Sequence, residues 1–226
     1  MREIVLDTET TGLDPRSGDR VVEIGCVELH NHVATGESFH TYVNPERDMP
    51  EQAEAVHGLS ESFLADKPLF ANVADDLIAF IGTATIIAHN AKFDLGFLNA
   101  ELALINRETL SADRSIDTVQ IARRKFPGAQ VNLDALCRRF NIDLSARVKH
   151  GALLDAELLA EVYLELIGGR EPSLGLAASA QSAGQRQDHK ALNRKRREPR
   201  PHAASDEEMS AHAVFLVKIK TPLWTQ

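Results

Sequence analysis

The chain opens on an unbroken apolar run, Ile4-Val5-Leu6, which ends in two acids one residue apart, Asp7 and Glu9. A run without polar alternation reads as a strand buried on both faces, hence a central strand of a sheet. If the extended geometry continues, a period of two points Asp7 and Glu9 to the same side. Residues 21–29 and 38–43 are rich in Val, Ile, Phe and Tyr and predict a second and a third strand, with turns at Gly18-Asp19 and Asn31-His32. From about Glu51 the spacing becomes helical, most clearly over Phe70–Ile81. Residues 85–89 form another buried run, and Asn90 follows as a candidate N-cap of a helix reaching about Ile105. A short strand is expected at Ser115–Asp117 and a helix over 119–126, stopped by Pro127-Gly128. Asn132 caps a helix over Leu133–Phe140, and a last helix over Ala152–Ile167 stops at Gly168-Gly169. Three strands followed by alternating helices and strands predict an α/β fold, a mixed sheet covered on both sides.

Beyond Gly169 the pattern changes. Residues 171–204 are rich in Ala, Ser, Gly, Gln and Pro and carry a basic cluster at Arg194-Lys195-Arg196-Arg197; they cannot bury a core and read as a flexible linker. Structure is expected again over 205–226, where Ser205 and Glu208 have capping-box spacing and Met209, Ala213 and Leu216 recur at helical intervals. The chain thus divides into a main domain over 1–170, a linker over 171–204 and a C-terminal segment over 205–226. Charge follows the same division. The net −8 combines −11 in residues 1–170 (16 Lys and Arg against 27 Asp and Glu) with +3 in the remainder (9 against 6). An acidic main domain is unlike a non-specific nucleic-acid binder unless metal ions offset the charge at its site, so charge alone leaves nucleic acid undecided. No stretch approaches the ~18 apolar residues of a membrane span. Met1-Arg2-Glu3 leads straight into the first strand, and Cys26 and Cys137 sit in apolar surroundings without metal-ligand spacing. These features predict reduced core cysteines in a cytoplasmic protein without a secretory signal.

Paired acids at the exit of a buried strand repel each other unless something positive lies between them, and a hard divalent cation is a natural candidate. A strand cap before the polar Thr-Thr-Gly turn fits the same residues. Two further acids stand in similar contexts. Asp94 falls on the first turns of the helix after a buried strand, and Asp155 on the first turn of the last helix, preceded by His150. Asp155 shares its helix face with Leu158, Leu159 and Val162, and a carboxylate on a core-facing stripe needs a partner. Each acid alone also suits simple placement near a helix N-terminus. Together, four acids and one histidine fit a two-cation phosphoryl displacement, in which two divalent ions roughly 3.5–4 Å apart clamp the attacking and leaving oxygens. Four carboxylates suit Mg²⁺ or Mn²⁺, and a histidine with an ordinary pKa of about 6.5 can take the proton of the attacking water.

Asp7-x-Glu9, Asp94 and His150-x4-Asp155, in this order over about residues 3–169, resemble the motifs of the DEDDh family of 3′→5′ exonucleases. Asp-Thr-Glu-Thr-Thr-Gly-Leu, His-Asn-Ala-x-Phe-Asp and the run from Asn44-Pro45 through Met49-Pro50 to His57-Gly58-Leu59-Ser60 are similar to the family as well. The resemblance implies a ribonuclease-H-like exonuclease fold, with a mixed five-stranded sheet flanked by helices. It implies that Asp7, Glu9 and Asp155 hold a first metal, that Asp7 bridges to a second positioned with Asp94, and that His150 is the general base. It also implies that Thr8, His57, His89, Asn90 and Phe93 line the pocket for the terminal nucleotides. The layout as a whole resembles the proofreading branch of the family that serves bacterial DNA polymerase III. On that resemblance, residues 205–226 dock on the polymerase (alpha) subunit. Glu171-Pro-Ser-Leu174-Gly-Leu176 resembles a sliding-clamp motif, with Glu where Gln is usual. The substrate would be the 3′ end of single-stranded DNA. Two other expectations compete: an RNA-trimming exonuclease of the same family, and a non-catalytic assembly subunit. The intact set of acids and His150 argues against the second.

Overall fold

The computed structural model describes residues 1–145, 147, 149–169 and 204–219. The expectations for the linker, for Glu171 to Leu176, for the basic cluster at Arg194 to Arg197 and for the last seven residues lie outside the described residues.

Five strands, β1 (Arg2–Thr10), β2 (Val21–His30), β3 (Val33–Tyr42), β4 (Thr85–Ala88) and β5 (Ser115–Asp117), form one sheet in the order β3-β2-β1-β4-β5. β1 is central, pairing antiparallel with β2 and parallel with β4, while β4 pairs parallel with β5. Eight helices accompany the strands among the described residues: α1 (Glu51–His57), α2 (Glu61–Leu64), α3 (Phe70–Ile81), α4 (Ala91–Leu104), α5 (Thr118–Lys125), α6 (Leu133–Phe140), α7 (Ala152–Ile167) and α8 (Asp206–Leu216). The mixed sheet flanked by helices is therefore the predicted architecture.

Ile4, Val5 and Leu6 are wholly buried because the sheet is covered on both faces. Ile4 and Leu6 pack among Ala74, Leu77 and Ile81 of α3 and Leu95, Leu98 and Leu102 of α4. Val5 points the other way, into a cluster with Leu136 and Cys137 of α6 and Leu158, Leu159, Val162 and Leu166 of α7. α7 lies so close to the sheet that a Cβ on Gly25 of β2 would stand 2.2 Å from the carbonyl carbon of Ala152. Glycine is the residue that permits this approach.

The structure differs from the sequence expectation at three places. β3 begins at Val33, five residues earlier than the pattern indicates and directly after the Asn31-His32 turn, whose residues both have positive φ as a tight hairpin requires. Its first half is exposed along the sheet edge, so no apolar alternation marks it. Asn90 does not cap α4 through its side chain; it adopts a left-handed conformation (φ 82°), and its backbone N–H donates to Asp117 at 3.2 Å. Asn132 does cap α6, accepting from Ala135 N at 2.8 Å. The helix expected over 119–126 starts one residue earlier because Asp117 caps it, accepting from Val119 N at 2.9 Å. Cys26 and Cys137 are buried free thiols, as expected.

The C-terminal segment is a separate unit. In it α8 opens with the predicted capping box between Ser205 and Glu208. Among the described residues no helix is long and apolar enough to cross a membrane.

Candidate active site

Extended backbone through Thr10 puts Glu3, Val5, Asp7 and Glu9 in one row on the sheet face beneath α7. α7 runs along that row. Its Tyr163 meets Glu3 at 3.2 Å at one end, while Asp155 faces Glu9 at the other. The acids thus gather at the carboxyl end of the parallel strands, where ligand sites of open α/β sheets form. Thr8 points to the opposite face and donates to Asp94 Oδ1 at 2.8 Å, tying the first turn of α4 to β1. His150 reaches the same place from the loop before α7, its N–H directed at Val56 O at 3.4 Å.

Asp7, Thr8, Glu9, His89, Phe93, Asp94, His150 and Asp155 line one cavity of about 260 Å³. Glu9, His150 and Asp155 each offer a ligand atom, all within 4.8 Å of one another. A neighbouring cavity of about 520 Å³ is lined by Thr8, Glu9, Thr10, Leu13, His57 and Phe93, among others. His57 is buried and accepts from Leu59 N at 3.0 Å through Nδ1, yet its Nε2 has no partner among the described residues. His89 shares a 2.8 Å hydrogen bond with Thr118. The structure therefore brings together every predicted site residue except Asn90, which is exposed and lines neither cavity.

The electrostatics of the cluster are those of acids short of a counter-charge. Burial, then repulsion from Asp94, Glu9 and Asp155, raises the Asp7 carboxyl well above the usual range. Burial above all pushes Glu9 up to about 8, with Asp155 and Glu23 adding to it. Asp94 rises to about 7, again through burial, although the hydrogen bond from Thr8 opposes the rise. Asp155 goes the other way. Burial would raise it, but hydrogen bonds from Arg147 and His150 outweigh burial and hold it below the ordinary value. His150 is raised in turn, first by its hydrogen bond to Asp155, whose Oδ2 lies 3.2 Å from Nδ1. Burial lowers His57 and His89, favouring neutral imidazoles.

Sequence reasoning does not find three contributors. Arg147 lies in the same cavity and forms a two-pronged ion pair with Asp155. Asp134 at the start of α6 takes another arm of that guanidinium. Gly25 is the register partner of Asp7 and admits the N-terminus of α7. A lone loop arginine carries no motif; its only signal is a positive charge three residues before His150. The donor set fits a divalent cation on two grounds: the donors are mostly hard carboxylate oxygens, and a guanidinium already rests against one of them.

The family model described as "Exonuclease" matches residues 4–163. A DNA polymerase III subunit epsilon from Rickettsia felis is 49% identical over 222 residues, covering 97% of this chain and 97% of the relative. The protein of the same name from Escherichia coli K12 is 43% identical over 225 residues, covering 95% and 92%. Among solved structures, the nuclease domain of 3′hExo, a DEDDh family member bound to rAMP, superposes with a TM-score of 0.64 at 20% identity, over 74% of this chain and 91% of that one, which bears on the fold. The matched span runs from β1 through Tyr163 and includes all five predicted catalytic positions. The chain belongs to the exonuclease family and, within it, to the DNA polymerase III epsilon subunits.

Proposed function

We propose that the chain removes mispaired nucleotides from the 3′ end of DNA as the proofreading 3′→5′ exonuclease of a replicative polymerase. The observation that carries this reading is the convergence of Asp7 and Glu9, on one strand face, with Asp94, Asp155 and His150 around one cavity. Asp7, Glu9 and Asp155 would hold one divalent ion, and Asp7 with Asp94 a second, Mg²⁺ or Mn²⁺ by the preference for oxygen donors. When bound, such a pair neutralises the phosphodiester and stabilises its attacking and leaving oxygens.

The protein's own residues do the rest. In the tautomer whose Nδ1–H donates to Asp155 Oδ2, 3.2 Å away, His150 keeps a lone pair on Nε2 to take the proton of the attacking water. Its half-exposed ring, on a loop beside Gly151, allows the approach. The P–O3′ bond breaks, releasing a nucleoside 5′-monophosphate and a new 3′-hydroxyl. Thr8 fixes the Asp94 carboxyl by its hydrogen bond. His57 and Phe93 line the larger cavity, where the imidazole would offer a polar contact and the ring a stacking surface to the terminal nucleotides. His89 lies at the edge of that path, and Asn90 serves through its turn rather than its side chain.

The test compares single-stranded DNA, a primer-template with a 3′ mismatch and RNA of the same sequence; a strong preference for RNA would overturn the proofreading reading. Residues 205–226 would dock on the polymerase alpha subunit and Glu171 to Leu176 on the sliding clamp, so that tethering replaces a bimolecular search. The capped α8, with exposed Met209, Val214 and Phe215, supports the first of these. Deleting 205–226 should abolish co-purification with the polymerase and leave hydrolysis intact; persistent association refutes the docking role. The place of action is that of the polymerase, the cytoplasm.

A further inference from the structure

Arg147 stands in the loop between α6 and α7, three residues before His150, with a side chain only 8% exposed. All three of its guanidinium nitrogens are committed. Nε donates to Asp155 Oδ1 at 2.5 Å, Nη2 donates to Asp155 Oδ2 at 2.6 Å, and Nη1 donates to Asp134. Nη2 also lies 2.8 Å from His150 Nδ1. Parallel two-point pairing of this kind is the strongest geometry available between arginine and a carboxylate. It falls on the same carboxylate that joins Glu9 and His150 in the tight group of ligand atoms. A side-chain cation thus rests on one of the carboxylates at which the donor set calls for a divalent one.

The two acids that share Arg147 are not equivalent. Asp155 is buried and belongs to the ligand group, whereas the Asp134 side chain is 41% exposed and lies outside it. A guanidinium and a divalent cation on one buried carboxylate repel each other strongly, because the surroundings screen them poorly. Asp134 offers a second place for the displaced charge without any movement of α6. Resting on the two-cation reading above, we propose that Arg147 is a positioning residue: it serves as the internal counter-ion of the metal-free site, holding Asp155 and the His150 loop in place, and it passes from Asp155 to Asp134 when divalent cations enter.

The experiment follows the arginine Nε–Hε signals and the side-chain carboxylate carbons of the ¹⁵N,¹³C-labelled full-length protein by NMR, first in EDTA and then with saturating Mg²⁺. Arg147→Lys assigns the resonance by its disappearance. In the metal-free protein the Arg147 Hε should exchange slowly with solvent. Mg²⁺ should move the resonance and speed exchange on the order of tenfold or more, as loss of a charge-assisted hydrogen bond implies. An Arg147 signal that stays put while the Asp155 carboxylate carbon responds to Mg²⁺ overturns the transfer and leaves the metal reading standing. Fast exchange already in EDTA, like that of exposed arginines, overturns the counter-ion role. Silence of both Arg147 and the site carboxylates in Mg²⁺ and in Mn²⁺ removes the two-cation reading and this proposal with it.

Discussion

Gly25→Ala should damage the active site more than its chemistry suggests, because the added methyl would meet backbone. A Cβ at this position lies 2.2 Å from Ala152 C, 2.3 Å from Ala152 O and 2.3 Å from Leu153 N, where ordinary contact begins at 3.4 Å. No rotamer change relieves this. Either β2 bends within its ladder to β1 and β3, or the N-terminus of α7 lifts by more than 1 Å. Hydrogen bonding on both sides makes β2 the stiffer partner, so α7 moves, carrying Asp155 away from Glu9 and from Asp7, the register partner of Gly25. Overpacking typically costs 1–3 kcal/mol, and a clash with main chain belongs at the upper end, about 3 kcal/mol. For a domain of this size that is a fall of about 6–12 °C in Tm. A misplacement of roughly 1 Å at the reacting centre adds a loss of about 10²-fold in kcat. Calorimetry measures the first, and Mg²⁺-dependent hydrolysis of a chromogenic thymidine 5′-monophosphate ester measures the second without demanding DNA. A Gly25→Ala protein with wild-type Tm and kcat would refute the close approach of α7 and the claim that it sets the position of Asp155.

Two further outcomes concern protons. His150→Gln should lower kcat roughly 10²–10⁴-fold if His150 is the general base. In the parent enzyme the rate should rise with pH through a value above that of an ordinary histidine, since Asp155 holds His150 up; an unchanged rate or pH profile in the variant rejects the role. The metal-free protein should lose stability as pH rises toward 8. Glu9 at about 8 and Asp94 at about 7 are raised in the folded state, which therefore holds extra protons that the unfolded chain has given up. Stability from these groups is present below the ordinary carboxylate range and is lost as pH climbs through the folded values. Denaturant unfolding in EDTA at about pH 6 and about pH 8 checks the sign, and greater stability at the higher pH contradicts it.

Much of the fold was legible because apolar runs and caps are local signals. Ile4 to Leu6 announced a doubly covered strand, and Asn132 and Gly168 announced helix ends, all found in place. The first half of β3 escaped detection since an edge strand facing solvent needs no apolar side chains; its hydrogen bonds to β2 hold it. Asn90 misled for a related reason. Asparagine suits both an N-cap and the left-handed region, and the demand of the β4–α4 turn decided between them.

The site was legible where its chemistry repeats a spacing and illegible where it depends on proximity across the fold. Buried acids alone would not have singled it out, because Glu3, Glu23 and Glu101 are as deeply buried as Asp94. Each of those three meets a fixed partner: Glu3 has His32 and Tyr163, Glu23 has His40 at 2.7 Å, and Glu101 has both nitrogens of the Arg20 fork at 2.8 Å. Asp7, Glu9, Asp94 and Asp155 share only one guanidinium among the described residues, that of Arg147, and it touches Asp155 alone of the four. A buried charge without a partner is neutralised by a proton or by a cation from solution. The raised values of Asp7, Glu9 and Asp94 correspond to the first of these alternatives. Divalent cations, in the proposed function, would be the second, and would release those protons on binding. The imbalance between acids and built-in cations separates this cluster from the structural acids around it, and no spacing in the sequence records that imbalance.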